Sequence, residues 1–581
     1  MTQEELFDRK TFIDLLSKKD LDRTDEENKL YLIAKKYGVE KEFKKTIKQY
    51  EKSFKQKISL EDNKLPKCNY DIENYDMGEY DCSINGITDR ENHKFSNIPV
   101  LPVERYVNKE TGKEKVKIIF YKENKWKELT VDRSQLSISQ KLLLLSDDGL
   151  DVNSNNVKYY IDYFSEIMSR NDINKLESIS HIGWRNNLFI PYDTSGIFDG
   201  EDDFKNIYKS ICSKGNYDKW KSTIKGLRKN KKIRIIMDTT LASPLIEKLN
   251  IPTFILNVWS SMSGSGKTLT CMTAMSIWGN PEIGGLTLSS NCTQNFYTTV
   301  ASFMRNYTCY FDELQIIKNS KTINFDGLIM DLCNGTEKGR LNKNSQAREV
   351  KTWKNNFLFT NNDRMVNENS GEQVYNRVID LEIRDKIVEN GQIIAKTIKE
   401  NYGFAGKDYI RYIQKIGFDE IFNRFIKIFN QILETTNATD KQANSIACIL
   451  LANQLGNESI YEDEELLSIE DLKEYINDKE DIRTCIKAKN YIKNVIATNP
   501  KRFERDNYGE YWGKKDEFTC TMNAEILSRE LKKGGFEFNT VKKDWADMNF
   551  LEFNSQGRYT FQTTVEGQKG TYVRLNIYNE D

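Results

Sequence analysis

The segment Ser260-Ser261-Met262-Ser263-Gly264-Ser265-Gly266-Lys267-Thr268 constrains this chain more than any other stretch. An apolar, β-like run, Thr253 to Val258, precedes it, and a helix-like run, Leu269 to Trp278, follows it. Strand, glycine-rich loop, Gly-Lys-Thr and helix form the context that a phosphate-binding loop requires. The glycines let backbone N–H groups turn toward phosphate oxygens. The helix N-terminus adds a positive dipole, and Lys267 adds a full charge. Ser263, Gly264, Ser265, Gly266, Lys267, Thr268 and Leu269 are therefore the predicted nucleotide-binding residues, for ATP, with the Thr268 hydroxyl on Mg²⁺. Ser261 stands where the motif carries its first glycine, so the reading leans on a second motif downstream.

That second motif is Tyr307-Thr308-Cys309-Tyr310-Phe311-Asp312-Glu313. A buried strand ending in Asp-Glu is the Walker B arrangement: Asp312 is predicted to hold the metal, and Glu313 to orient and polarise the attacking water. A third strand, Asn356 to Thr360, ends in Asn361-Asn362. A polar side chain at such a strand tip is similar to the sensor 1 residue of AAA+ ATPases, which selects Asn361, with Asn362 beside it as the alternative. Between these strands lie a helix, Phe325 to Cys333, and a polar stretch, Gly335 to Trp353, that reads as two short strands about a turn near Asn342-Lys343-Asn344. A hairpin at this place resembles the DNA-gripping hairpin of the AAA+ branch that holds replicative helicases. Lys343 near its tip, then Arg348, are the predicted phosphate contacts. Arg377 comes just before the strand Val378 to Ile383 and suits a reach to the γ-phosphate of a neighbouring subunit. Walker A, Leu286 to Ser289, Walker B, sensor 1 and Val378 to Ile383 then predict a parallel sheet with helices on both faces, its ligand residues at the strands' C-terminal ends.

Charge gives no sign of a partner: 86 Lys+Arg stand against 87 Asp+Glu. Locally Lys221 to Arg234 and Lys41 to Lys57 are basic, a pattern that usually marks a solvated face. The ten cysteines contain no C-x-x-C pair, which argues for a reducing compartment and against a zinc site or disulfide framework. With only His93 and His181 present, histidine-based catalysis has little to draw on. No apolar run is long enough to span a bilayer and no signal peptide is evident, so the expectation is a soluble, cytoplasmic protein.

Five regions are expected: a helical segment 1–64, a mixed β/α domain 65–240, an ATPase core 241–390, a helical lid or linker 391–510 and a C-terminal module 511–581. In the second, Val116 to Tyr121 and Trp126 to Val131 predict a hairpin about Glu123-Asn124, and residues 137 to 180 predict helix. His181 to Trp184 with Leu188 to Pro191 predict a strand pair. In the lid, Ala443 to Leu455 is the most apolar stretch. The last module reads as a winged helix. Its helices are Asn523 to Lys533 and Asn539 to Leu551, and its wing is formed by Arg558 to Thr564 and Thr571 to Tyr578 about Gly567 to Gly570. Lys542 and Lys543 on the second helix are its predicted phosphate contacts, with DNA binding and protein docking both open.

In combination and order, Gly183-Trp184, Ser243-Pro244-Leu245, the Gly-Lys-Thr loop, Trp278-Gly279, Asn291-Cys292-Thr293, Asp312-Glu313, Lys338-Gly339-Arg340, Thr352-Trp353 and Gly371 to Arg377 resemble a family known as domain of unknown function 927, found in phages and mobile elements. The resemblance covers roughly residues 65 to 500. Within it the chain looks like the cassette-chromosome replicative helicases, which are similar to minichromosome maintenance (MCM) helicases. Asn376 to Leu381 is similar to the MCM arginine-finger segment. The resemblance implies ATP-driven unwinding by a homo-hexamer or other ring, with single-stranded DNA in a central channel and element-encoded replication proteins as further partners. Two other readings stay open: an AAA+ ATPase that loads or remodels replication proteins without unwinding, and a DNA-binding initiator switched by ATP. A small-molecule kinase has no use for the hairpin, the finger or the winged helix.

Overall fold

The computed structural model describes every residue except 17, 19, 63, 195, 201, 319–324, 340–349, 368–369, 505–508, 555–556 and 578–581. For residues 9, 20, 21, 52–62, 202, 203 and 318 it describes the backbone only. The chain divides into two compact units, Met1–Ile179 and Ser180–Asp581.

The first unit opens with four helices between Gln3 and Asp62, packed around Leu6, Phe12, Leu15, Leu30 and Phe43. A β region follows. Strands Glu114–Lys122 and Lys125–Asp132 form the expected hairpin, and Glu123 and Asn124 both take positive φ (58° and 61°), as a two-residue type I′ turn needs. The helix expected through residue 180 stops early. Ser139–Leu143 and Val157–Arg170 are helical with a break between them, and Asn174–Ile179 is a strand that pairs in parallel with Val100–Asn108, Tyr106 opposite Leu176. Pairing satisfies an edge that would otherwise be left open, and this tertiary gain overrides the helical pattern.

The second unit is built on a five-stranded sheet. Its strands are β1 (Ile255–Trp259), β2 (Thr287–Ser289), β3 (Cys309–Asp312), β4 (Phe357–Asn361) and β5 (Val378–Glu382). They lie in the order β2-β3-β4-β1-β5, and every pairing is parallel. Ile255, Leu256, Asn257 and Val258 are all buried in succession. Successive strand residues point to opposite faces, so both faces of the sheet are covered, which suits the near-continuous apolar runs. Asn257 Nδ2 donates to the Asp380 carboxylate (2.6 Å), which also accepts the Met365 and Val366 amides (2.9 and 3.1 Å), tying β1, β5 and the segment after β4 together.

Helices flanking this sheet include α1 (Lys231–Leu249), α2 (Lys267–Met275), α3 (Gln294–Met304), α4 (Phe325–Cys333), α5 (Gly391–Glu400) and α6 (Asp440–Ser459). Both α1 and α6 are buried over most of their length and pack on each other. The basic run before α1 departs from a solvated face at one position. Arg228 is fully buried, its guanidinium donating to Asp238 (2.9 Å) and Asp463 (2.6 Å) and lying 3.6 Å from the Tyr461 ring. The strand pair Gly183–Arg185 and Leu188–Ile190 forms as expected, with Trp184 in the core.

The C-terminal region packs α7 (Thr484–Thr498), α8 (Ala524–Lys533) and α9 (Phe538–Asp547) against a sheet of β6 (Gly513–Lys515), β7 (Thr519–Asn523), β8 (Phe561–Val565) and β9 (Gln568–Asn576). Its order is β6-β7-β9-β8, and its core joins Ile492, Leu527, Trp545, Val573 and Leu575. Two sequence expectations shorten. Helix α9 ends at Asp547 rather than Leu551, because Asn549 turns to φ 56° and stops it. The hairpin turns on Glu566-Gly567 alone, with Gln568 already in β9. Among the described residues, no helix is long and apolar enough to cross a membrane.

Candidate functional site

Loop Ser260 to Gly266 leaves the C-terminal end of β1 and enters α2. Gly264 (φ 75°) and Gly266 (φ 99°) sit in the left-handed region, where side chains are strained. A Cβ on Gly266 would also come within 3.1 Å of Val388. Ser261 is not among the positive-φ residues, so serine fits where the motif usually has glycine. The loop is braced by Ile387 N–H on the Ser265 carbonyl (3.2 Å) and by Ser260 N–H on the Asn361 carbonyl (3.3 Å). Lys267 donates to the carbonyls of Ser260 (3.2 Å) and Met262 (3.5 Å). Burial pulls its ammonium below the usual lysine range, although the nearby Asp312 carboxylate works the other way. Ser263 is exposed, whereas Ser265 is buried and its hydroxyl has no partner among the described residues.

Thr268, on the first turn of α2, donates to Asp312 Oδ1 at 3.1 Å. The same carboxylate oxygen accepts the Tyr310 hydroxyl (3.0 Å) and the Thr360 hydroxyl. Glu313 is exposed at the tip of β3, held at φ 61°, and its N–H donates to Thr360 Oγ1 (2.9 Å). Asn361, at the end of β4 opposite Trp259, is 1% exposed. Its Oδ1 accepts the Asn362 amide (2.9 Å), while its Nδ2 has no partner among the described residues. Asn362 itself is exposed. Glycine loop, Thr268, Asp312, Glu313 and Asn361 thus gather at the C-terminal edge of the sheet, where α/β proteins bind ligands.

A cavity of about 410 Å³ opens over Gly264 to Leu269 and is closed on its other side by Lys386, Val388 and Gln392. A second, of about 890 Å³, shares Thr268 and Leu269 with it and is lined further by Met272, Ala395 and Tyr402. None of Tyr310, Thr360, Lys386, Val388 and Gln392 is singled out by the sequence. A hydroxyl inside an otherwise apolar strand is the one signal that marks Tyr310 and Thr360; the lining after β5 carries no motif.

Arg377 stands apart from this edge. It precedes β5, its carbonyl accepts Ile255 N–H (2.8 Å), and its guanidinium donates to the Gln373 carbonyl (2.8 Å). It therefore lies at the N-terminal end of the sheet. Lys343 and Arg348 lie outside the described residues. The base of their segment is described: Thr336 and Thr352 form an antiparallel bridge, and Glu337 N–H donates to the Lys351 carbonyl (2.8 Å). Lys542 on α9 donates to Asn539 (2.8 Å), lies 5.8 Å from the Tyr559 ring, and with Arg529, Lys532 and Arg558 lines a groove of about 840 Å³; Lys543 is exposed beside it.

Comparison with known proteins adds the following. Residues 78–352 match the family model described as "Domain of unknown function (DUF927)", and residues 485–580 match the "Cch helix turn helix domain". Among solved structures the chain is similar to "SCCmec type IV Cch - active helicase", at 18% identity over 87% of this chain and 98% of that one, with a TM-score of 0.61. Two structures of the "NrS-1 C terminal region" align at 12% and 11% identity over 82% and 81% of this chain and 96% of each of theirs, with TM-scores of only 0.29 and 0.28. No curated protein matches the sequence. The first of these structures shares the mixed α/β fold of this chain.

Proposed function

For a chain that carries a DUF927 domain and a Cch helix-turn-helix domain, we propose the activity of an ATP-dependent DNA helicase or translocase of the AAA+, MCM-like type, serving replication of a phage or mobile element. The observation that carries this reading is the 3.1 Å pairing of Thr268 with Asp312 at the mouth of the glycine loop, with Glu313 next in sequence. Strand order supports it: numbered along the chain, 2-3-4-1-5 is the AAA+ arrangement. So does the fold shared with a structure described as an active helicase. The helix-turn-helix match and the basic groove of the C-terminal region favour DNA as a partner and a winged helix as its fold.

On this reading the loop amides and Lys267 bind the ATP phosphates, and the cavity beyond Leu269, with Met272 and Ala395, receives the base. Thr268 and Asp312 offer the hard hydroxyl and carboxylate oxygens that Mg²⁺ takes, and bound Mg²⁺ would supply charge neutralisation at the phosphates. Glu313 orients and deprotonates water. Asn361 directs its Nδ2, which has no partner among the described residues, toward the terminal phosphate. Arg377, from the far end of the sheet, serves the next subunit of a ring, a homo-hexamer in the simplest case. Lys343 and Arg348 hold the DNA backbone in the channel, and Lys542 and Lys543 hold it at the winged helix.

The test is ATP hydrolysis and forked-duplex unwinding, with and without single-stranded DNA, for the unmodified protein, Glu313→Gln and Lys343→Ala. Turnover lost in Glu313→Gln, with DNA stimulation and unwinding lost in Lys343→Ala, supports the motor. Turnover that ignores DNA, without unwinding, moves the assignment to an ATPase that remodels other replication proteins.

A further inference from the structure

The corner that follows β3 is suspended from one residue of the neighbouring strand. Thr360 is 2% exposed and makes three hydrogen bonds to three consecutive residues of that corner. Its hydroxyl donates to Asp312 Oδ1 and accepts the Glu313 N–H (2.9 Å), and its carbonyl accepts the Leu314 N–H (2.8 Å). Glu313 needs such a restraint. A non-glycine residue at φ 61° persists only where its surroundings over-determine it. Thr360 is also the residue before Asn361, and successive strand side chains point to opposite faces. Here one hydroxyl grips the Asp-Glu corner while the next side chain keeps a buried N–H that has no partner among the described residues.

We propose that Thr360 is a positioning residue that sets the orientation of Glu313 and couples it to Asn361. Contact made by Asn361 shifts the tip of β4, and through the Thr360 hydroxyl the shift reaches the Glu313 backbone one residue beyond Asp312. Tyr310 reaches the same Asp312 oxygen but makes no bond to Glu313, so it braces the carboxylate and stands outside the relay. This inference rests on the ATPase reading and adds a residue that no motif contains.

Thr360→Val keeps the branched shape and removes the hydroxyl; Thr360→Ser keeps the hydroxyl and removes a methyl. Two readouts decide. The first is kcat against KM for ATP, with Tyr310→Phe as comparison. The second is amide hydrogen exchange of the segment containing Glu313 in the protein without nucleotide. Thr360→Val is expected to lower kcat by about tenfold or more with KM changed less than about twofold, to speed exchange at Glu313, and to exceed the effect of Tyr310→Phe. Thr360→Ser is expected to restore both readouts. Equal losses in Thr360→Val and Thr360→Ser, or unchanged kcat and exchange in Thr360→Val, overturn the proposal. If the unmodified protein does not hydrolyse ATP, the ATPase reading fails, and the exchange experiment alone decides whether Thr360 restrains Glu313.

Discussion

Arg377 and Lys267 stand at opposite ends of one parallel sheet. Ile255 is paired with Val378 and Trp259 with Glu382, so Arg377 precedes the first pair and Lys267 follows the last, beyond the loop. Five strand residues alone separate the two edges by about 16 Å. On the proposed reading, one chain does not bring both cations to the same phosphate, and a complete site draws them from two chains. Lys267→Ala and Arg377→Ala are each expected to lose ATP turnover. Mixed before assembly, the two regain part of it, because an Arg377→Ala subunit keeps its own loop and borrows the finger of a Lys267→Ala neighbour. Random mixing of equal amounts restores about one interface in four. A mixture as inactive as its parts removes Arg377 from the site.

Gly266 tests the loop itself. Alanine there meets both the φ of 99° and the Val388 methyl 3.1 Å away. The left-handed conformation alone costs about 1–2 kcal/mol for a residue with a Cβ. Gly266→Ala should weaken binding of a fluorescent ATP analogue by about tenfold or more, while circular dichroism stays unchanged. Full retention of binding would mean that the loop adopts another path when it meets phosphate.

Arg228 is the cation of a buried cluster whose carboxylates are Asp238 and Asp463. Removing one partner of a buried pair leaves uncompensated charge, so Arg228→Met should destabilise the second unit by about 3–5 kcal/mol in urea unfolding. Burial already raises the Asp238 carboxyl above the usual range even with Arg228 beside it. A raised carboxyl favours folding as pH falls. The deficit of Arg228→Met should therefore shrink between neutral pH and about pH 5; a deficit that grows on acidification contradicts this account.

Glu510 gives the opposite sign at the surface. A two-pronged contact with Arg529 (2.8 and 2.5 Å) holds its carboxyl down to about 2, from an ordinary 4.5. A depressed carboxyl stabilises the fold above the unfolded value and loses that contribution as pH falls from 4.5 toward 2. Both side chains are nearly half exposed, so the effect is small and salt-screened. Glu510→Gln should flatten the acid limb of the stability curve in low salt and change nothing in high salt.

What the sequence makes legible is what depends on neighbours along the chain. Left-handed φ at Gly264 and Gly266, the Glu123-Asn124 turn and the runs that become β1, β3 and β4 are all local. The three hydroxyls on Asp312 are not all so. Tyr310 reaches it from the same strand, but Thr268 arrives from α2, and Thr360 requires the register between β3 and β4, which brings it across 48 residues of sequence. Arg228 misleads for a related reason: in a run of lysines it reads as solvated, and the partners that enclose it include Tyr461 and Asp463, more than 230 residues later. Asn174–Ile179 becomes a strand because an edge awaits it, which no window of sequence contains.

The segment before β4 is anchored in the core at its base. Trp353, 1% exposed, donates its indole N–H to the Leu332 carbonyl (2.8 Å) at the end of α4, one residue past the Thr336–Thr352 bridge. Four residues further on, Phe357 begins β4. On the proposed reading, a pull that DNA exerts on the chain between Thr336 and Thr352 would meet this fixed indole before it reached the strand whose far end carries Thr360 and Asn361.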